Sequence, residues 1–317
     1  MSRILVIGDL ILDEYIVGEN YHISDEAPVP ILKVDNFIPK LGGAANVAHN
    51  IKNLGGEAIL CGAIGEVGNG LSASRFIKSM EENGLITSYI VQGEMKTTTK
   101  SRVIVKSQQV VRFDYEDLEL PQAVASKVEY KLRSLDFNEI DLIVVSDYKK
   151  GIITKKIMDI LKNSGVKIVI DPKPANSIFY SGVFCITPNL REFNLLTSSD
   201  FYKGDLSGLN VTANNYRKKM NLNNIIVTLG EKGALCCSED RCEIISNCEV
   251  DVANTIGAGD TFLSALCLGI ASGEDLFESV KIANMAASIV VSKKYTGTCS
   301  IGELNNYKTK GERVWTI

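Results

Sequence analysis

Along this chain, apolar positions switch repeatedly between two periods. Ile4-Leu5-Val6-Ile7 is a short β-branched run that stops at Gly8-Asp9, the pattern of a strand buried on both faces. Comparable runs at Ala58–Cys61, Leu142–Val145, Lys167–Ile170, Phe184–Ile186 and Ile225–Thr228 predict further strands. Segments of helical period lie between most of them. Ala44–Leu54 stops at Gly55, Leu71–Asn83 at Gly84 and Thr154–Ser164 at Gly165, each a glycine helix stop. Such alternation predicts an α/β body, a mostly parallel central sheet with helices on both faces. The site should then lie at the carboxyl ends of the strands.

Two stretches break the alternation. Residues 11–40 hold extended runs (Tyr15–Val17, Val29–Val34) around Pro28, Pro30 and Pro39. Residues 88–115 predict three strands, Ser88–Val91, Ser101–Val105 and Val110–Phe113. Together they predict a small second sheet inserted in one domain spanning 1–317. It serves as a lid, an edge extension or a dimer surface, and lid and dimer surface can coincide. Asp275-Leu276-Phe277-Glu278 predicts a capping box opening a helix through about Val291. The tail after Lys294 shows no readable pattern.

Composition narrows the class. A net charge of −4 provides no basic stripe for nucleic acid and no polybasic membrane anchor. No apolar run reaches transmembrane length and no signal-peptide core follows Met1-Ser2-Arg3, so a soluble cytoplasmic protein is expected. The 8 cysteines form no C-x-x-C pair, and free, mostly buried thiols are expected. His22 and His49 have no partner at ligand spacing, which leaves a metal or serine-triad reading unsupported.

The most informative stretch is Asn254-Thr255-Ile256-Gly257-Ala258-Gly259-Asp260, which runs into the apolar segment Phe262–Ile270. Gly257 and Gly259 permit close backbone approach, and the helix start favours an anion. Asp260 stands beside that cradle, the pairing that phosphoryl transfer to a hydroxyl requires. A glycine turn whose Asp merely caps a helix is the plainer alternative. Gly42-Gly43-Ala44-Ala45-Asn46 opens the first helix with an amide suited to sugar hydroxyls, or is a tight strand-to-helix turn. Asp13 leaves the first strand towards the same cleft. Asn189 and Glu192 share one face of a helical turn, where they hold magnesium through water, contact phosphate, or form a capping pair. Thr228–Gly233 is a hairpin turn able to cradle nucleotide phosphates. Lys173, with Arg102 and Arg112, is a set of cations for an anionic substrate, or solvated charge.

In order and over nearly its full length, the chain resembles the ribokinase/PfkB family of carbohydrate kinases. The early Gly-Gly-Ala-Ala-Asn and late Gly-Ala-Gly-Asp segments carry the likeness. The resemblance implies a ribokinase-like α/β fold with a β lid, and magnesium-dependent transfer of the ATP γ-phosphoryl group to a sugar hydroxyl. Asp260 matches the catalytic base, and Gly257, Ala258 and Gly259 the anion hole. Asn189 and Glu192 match positions near magnesium and phosphate; Thr228, Gly230 and Gly233 match the nucleotide loop, and Asn284 its neighbouring helix. Asp13, Gly42, Gly43 and Asn46 match sugar-contacting positions.

Longer stretches resemble the heptose 7-phosphate kinase subfamily, whose members are halves of bifunctional enzymes: Ile23–Pro30, Thr98–Val103, Ser107–Arg112, Ser146–Gly151 and Asp171–Lys173. The subfamily implies the anomeric hydroxyl of D-glycero-β-D-manno-heptose 7-phosphate as acceptor, and Lys100, Arg102, Arg112 and Lys173 suit its phosphate. His22 and Asp25 depart from the subfamily's Arg and Pro. Asn254 replaces a family Asp, which puts the family's monovalent-cation (K+) site in question. The chain stops short of a nucleotidyltransferase domain, so a separate protein is expected to supply that step. A homodimer through the small sheet is expected on family grounds. Other sugar acceptors and a catalytically silent binding protein remain as alternatives. A dinucleotide oxidoreductase is disfavoured, because no G-x-G-x-x-G follows the first strand.

Overall fold

The computed structural model describes residues 1–67, 71–106, 108–117, 119–247 and 250–307, excluding the side chains of 20 and 21. Ser107 of the subfamily stretch and Cys248 lie outside the described residues. β1 (Arg3–Gly8) leads into a long antiparallel hairpin, β2 (Leu10–Ile23) and β3 (Pro30–Gly43), which runs directly into α1 (Ala44–Asn53). β4 (Glu57–Gly65), α2 (Leu71–Glu82) and β5 (Ile90–Gly93) follow, then the antiparallel pair β6 (Thr99–Val105) and β7 (Gln108–Tyr115). Alternation resumes with α3 (Gln122–Arg133), β8 (Leu142–Ser146), α4 (Lys155–Asn163), β9 (Ile168–Asp171), β10 (Cys185–Ile186), α5 (Leu190–Thr197), α6 (Leu209–Lys219) and β11 (Asn224–Thr228). An antiparallel pair, β12 (Ala234–Cys237) and β13 (Cys242–Ile245), precedes α7 (Ala258–Ala271), α8 (Leu276–Val291) and α9 (Ile301–Tyr307).

The main sheet has the order β13-β12-β11-β10-β9-β8-β1-β4-β5, in which only β12 runs against the other strands. Its two-sided burial follows from strand periodicity: Ile4 and Val6 join one core, Leu5 and Ile7 the other. α1, α2, α7, α8 and α9 cover the first face, and α3, α4, α5 and α6 the second. From β1 the chain builds outward through β4 and β5, then returns to the opposite side at β8. The crevice of this sheet therefore opens between the carboxyl ends of β1 and β8. Among the described residues no helix is long and apolar enough to cross a membrane.

The second sheet, β3-β2-β6-β7, contains the two irregular stretches, with one correction. The run predicted at Ser88–Val91 becomes β5, which pairs parallel with β4 and edges the main sheet. The small sheet has two unlike faces. Register places Lys40, Asp13, Lys100 and Asp114 in one row and Ile38, Tyr15, Arg102 and Arg112 in the next, all on the face turned to the body. The other face carries Phe37, Ile16, Val103 and Val111 in a row, with Phe37 and Val111 about half exposed.

Five cysteines (61, 185, 236, 267 and 299) are free and buried, as expected. Cys237 and Cys242 lie side by side, because hairpin register sets them directly opposite each other. The tail also has structure: α9 buries Leu304, and residues 295–299 pack back on the hairpin and α1.

Candidate active site

Asp260 occupies the first turn of α7, after Gly257 at φ +83°. Only glycine enters that left-handed turn without strain, and an added Cβ would also press on Asn46 and Thr296 at 3.1 Å. The turn leaves first-turn N–H groups without helical acceptors, beside an open face at Gly259. Asp260 is buried, and two donors fix its carboxylate. Asn46 Nδ2 donates to Oδ2 at 2.7 Å and the Tyr148 hydroxyl to Oδ1 at 2.9 Å. Burial raises its pKa to about 6; the bonds from Asn46 and Tyr148 pull it down, the Asp13 charge pushes it up and Lys100 lowers it. The helix dipole alone predicts a depressed value. That expectation fails because lost hydration outweighs it.

Asn46 is held by a polar seam between α1 and α7. Asn50, one turn on, donates to the Asn46 carbonyl at 2.9 Å and accepts from Thr261 Oγ1 at 3.1 Å. Sequence reading passes over Asn50, although its i,i+4 spacing from Asn46 is a usable signal. Gly42 lies against Asp13, where a Cβ would fall 2.6 Å from Oδ2. Gly43, at φ +55°, is the N-cap of α1.

The four basic candidates do not form one cluster. Arg102 is buried and bonds Asp13 at 2.6 Å, so its charge is already matched. Arg112 pairs with Asp114 at 2.9 Å. Lys173 leaves this group and pairs with Glu192 at the opposite end of the cleft. Lys100 has no ion pair among the described residues; its ammonium lies 5.2 Å from the Tyr148 ring centre. Burial lowers its pKa, against the charges of Asp13 and Asp114.

At the phosphate end, Asn189 and Glu192 form a reciprocal capping box on α5. Asn189 Oδ1 accepts from the Glu192 N–H at 2.9 Å, and Glu192 Oε2 from the Asn189 N–H at 3.1 Å. Capping uses one lone pair of the Asn189 oxygen, and the second stays available to a water on magnesium. Asp171 lies beside them, its pKa raised well above normal by burial and by the Glu192 charge. No cluster of three potential metal ligands occurs among the described residues. Asp171 and Glu192 suit Mg2+ held through water and substrate phosphates, the usual manner of this ion.

These groups line a polar cleft of about 180 Å³ that includes Tyr148, Asp171, Lys173, Glu192, Thr228, Gly259 and Asp260. It shares Thr228, Gly259 and Phe262 with a larger cleft of about 570 Å³. The larger one is bounded by Gly230, Gly233, Asn284 and the apolar Val250, Val252, Ala287 and Val291. Asn284 Nδ2 donates to the Ile245 carbonyl at 3.0 Å, holding the exit of β13. An anion cradle between an apolar cleft and a buried carboxylate is the apparatus of phosphoryl transfer.

Fold and site define a phosphotransferase acting on an alcohol, and comparison with known proteins agrees. The model of the pfkB family carbohydrate kinases matches residues 1–302. The bifunctional protein HldE of Sulfurimonas denitrificans is 35% identical over 312 residues, covering 96% of this chain and 64% of that protein. HldE of Shewanella piezotolerans is 35% identical over 306 residues, 96% of this chain and 62% of its own length. The chain thus spans less than two thirds of these relatives. Escherichia coli phosphofructokinase-2 with substrates and products superposes with TM-score 0.80 at 19% identity, covering 96% and 97% of the two chains. Thermotoga maritima ribokinase gives 0.72 at 20% identity, covering 97% and 99%. The chain belongs to the pfkB family of carbohydrate kinases, with a ribokinase-like fold.

Proposed function

We propose that this kinase transfers the γ-phosphoryl group of ATP to the anomeric hydroxyl of D-glycero-β-D-manno-heptose 7-phosphate, towards ADP-heptose. The carrying observation is Lys100, a partly desolvated ammonium that has no ion pair among the described residues and projects from the small sheet towards Asp260. A cation in that state suits an acceptor that already bears a phosphate. The likeness to HldE proteins over 96% of the chain supports a heptose phosphate in particular.

In this reading the adenine lies against Val250, Val252, Ala287 and Val291, and the phosphates run past Thr228 to the turn at Gly257–Gly259. Asn189, Asp171 and Glu192 line the cleft where Mg2+ would be held, and the ion would neutralise phosphate charge. Asp260 aligns the acceptor hydroxyl and takes its proton as the phosphoryl group arrives. Asp13, Gly42, Gly43 and Asn46 border the sugar. The small sheet acts as a lid that excludes water from the reacting phosphate.

Two features refine the reading. The Asn254 carboxamide accepts from the Ile256 N–H at 3.0 Å and donates to the Lys294 carbonyl at 3.4 Å. A neutral amide ties these loops where the family carries a carboxylate, so turnover should not require K+. The apolar outer face of the small sheet fits a second copy of the chain. Sedimentation should give a dimer, and Val111→Glu a monomer; a monomeric unaltered protein would remove the dimer.

The decisive assay is Mg2+-dependent ADP release with β-heptose 7-phosphate, sedoheptulose 7-phosphate, fructose, ribose and adenosine, in Na+ and in K+ salts. Turnover on the heptose phosphate alone, equal in both salts, is expected. Preference for another acceptor would overturn the heptose assignment, and strong K+ activation would overturn the role given to Asn254.

A further inference from the structure

The loop after β8 is fixed far more firmly than a surface connection needs. Asp9, buried at the end of β1, accepts from the N–H groups of Tyr148 at 2.7 Å, Lys150 at 3.0 Å and Ile152 at 3.3 Å. Asp147, also buried, accepts from the Lys149 N–H at 2.7 Å, from Asn176 Nδ2 at 2.8 Å and from the Tyr180 hydroxyl at 2.5 Å. Lys149 is held at φ +58°, a left-handed conformation rare for lysine. Two buried carboxylates therefore dictate the path of residues 147–152. Backbone placed so exactingly generally serves a site.

What the clasp delivers is Tyr148. Its hydroxyl meets Asp260 Oδ1 at 2.9 Å, and two ammonium groups stand near its ring. Lys100 Nζ, from the small sheet, lies 5.2 Å from the ring centre, and Lys173 Nζ, from the phosphate end, 5.4 Å. One side chain thus touches the carboxylate, the acceptor-side cation and the phosphate-side cation, distances at which a cation and an aromatic ring attract. We propose that Tyr148 is a positioning residue: its hydroxyl fixes the Asp260 carboxylate for the acceptor, and its ring seats Lys100 and Lys173 around the transferred group. The inference rests on Asp260 acting on the acceptor hydroxyl and goes beyond it.

Beyond burial, the largest influence, the groups that act on the charge of Asp260 are Asn46 on α1, Tyr148 itself, Asp13 on β2 and Lys100 on β6, and Asp171 on β9 interacts with it. Of these, Asn46 and Tyr148 donate to the ionised form and stabilise it. Removing the hydroxyl should move the Asp260 titration to higher pH.

Two variants separate the hydroxyl from the ring. Tyr148→Phe keeps the ring: kcat should fall about tenfold to a hundredfold, the range for a hydrogen bond to a charged group. The KM for heptose 7-phosphate should stay within about twofold, and the acid limb of the rate profile should move upward. Tyr148→Leu removes the ring as well and should also raise that KM, because Lys100 loses its seat. A second readout needs no acceptor. The pH at which melting temperatures of a protein and its Asp260→Asn counterpart diverge reports the Asp260 titration. Measured with Tyr148 intact and as Phe, that pH should rise in the Phe pair. An unchanged divergence pH together with unchanged kcat would overturn the proposal. Failure of Asp260 as the base shows separately, as an Asp260→Asn protein that still turns over.

Discussion

Asp260→Asn should remove turnover by about a hundredfold to ten-thousandfold, the usual contribution of a positioned general base, while the protein stays folded. Asn is close in shape to Asp, and the Asn46 amide and Tyr148 hydroxyl can each reorient to a carboxamide. What disappears is the group able to take the acceptor proton. Because Asp260 titrates at about 6, wild-type turnover should rise as pH increases through 6 and level off above it. Stability runs the other way. A carboxyl whose folded pKa lies above its unfolded one contributes stability that is complete below the unfolded value and is lost as pH rises through the folded value. At pH 7–8 the neutral variant escapes that loss, so its melting temperature should equal or exceed that of the wild type. A variant that melts earlier and is inactive would attribute the lost activity to unfolding. A well-folded variant with wild-type turnover would take Asp260 out of the chemistry.

The raised pKa of Asp260 is not legible in the sequence. The helix start was visible from Gly257-Ala258-Gly259-Asp260, and so was its dipole. The burial that overrides the dipole depends on α1, β2 and the loop after β8 meeting around one carboxylate, and no local pattern encodes that meeting. The parallel body was legible because each parallel strand carries its own apolar run and α1, α2 and α4 their own glycine stops. β5 was assigned to the wrong sheet because Ser88–Val91 has the same composition whether it edges the large sheet or the small one. Pairing choice there rests on the path of the chain. Capping reads the same lesson in both directions. Asp275 caps α8, but Glu278 pairs with Lys281 and leaves the predicted box half formed. Asn189 and Glu192 form the full reciprocal box, so the plainer alternative weighed for them is realised, and Glu192 meets the cleft through Lys173. Tyr148 was legible only as part of a subfamily stretch. Its role needs Asp9, distant in sequence, to aim it.

The small sheet supplies the second large effect, and two neighbouring cations on it should respond differently. Lys100→Met removes a charge that makes no ion pair among the described residues, with Asp13 and Asp114 only near it, so folding should change little. The cost should fall on the acceptor. One charge-assisted bond to a phosphate contributes about 1.5–3 kcal/mol, which predicts a KM for heptose 7-phosphate raised roughly tenfold to a hundredfold. Sugars without a phosphate should be unaffected, so discrimination between phosphorylated and plain acceptors should shrink by the same factor. Arg102→Met deletes a charge that already neutralises buried Asp13. Leaving a buried carboxylate unpaired costs about 3–5 kcal/mol, so this variant should fail in melting temperature before any change in acceptor preference. Steady-state kinetics on paired acceptors, with melting curves for both variants, separates the two. If Lys100→Met raised KM for plain and phosphorylated sugars alike, Lys100 would be shaping the cleft and the acceptor phosphate would have to bind elsewhere. If Arg102→Met kept its stability and lost only the phosphorylated acceptor, the phosphate would belong to Arg102, released from Asp13 when the sugar enters.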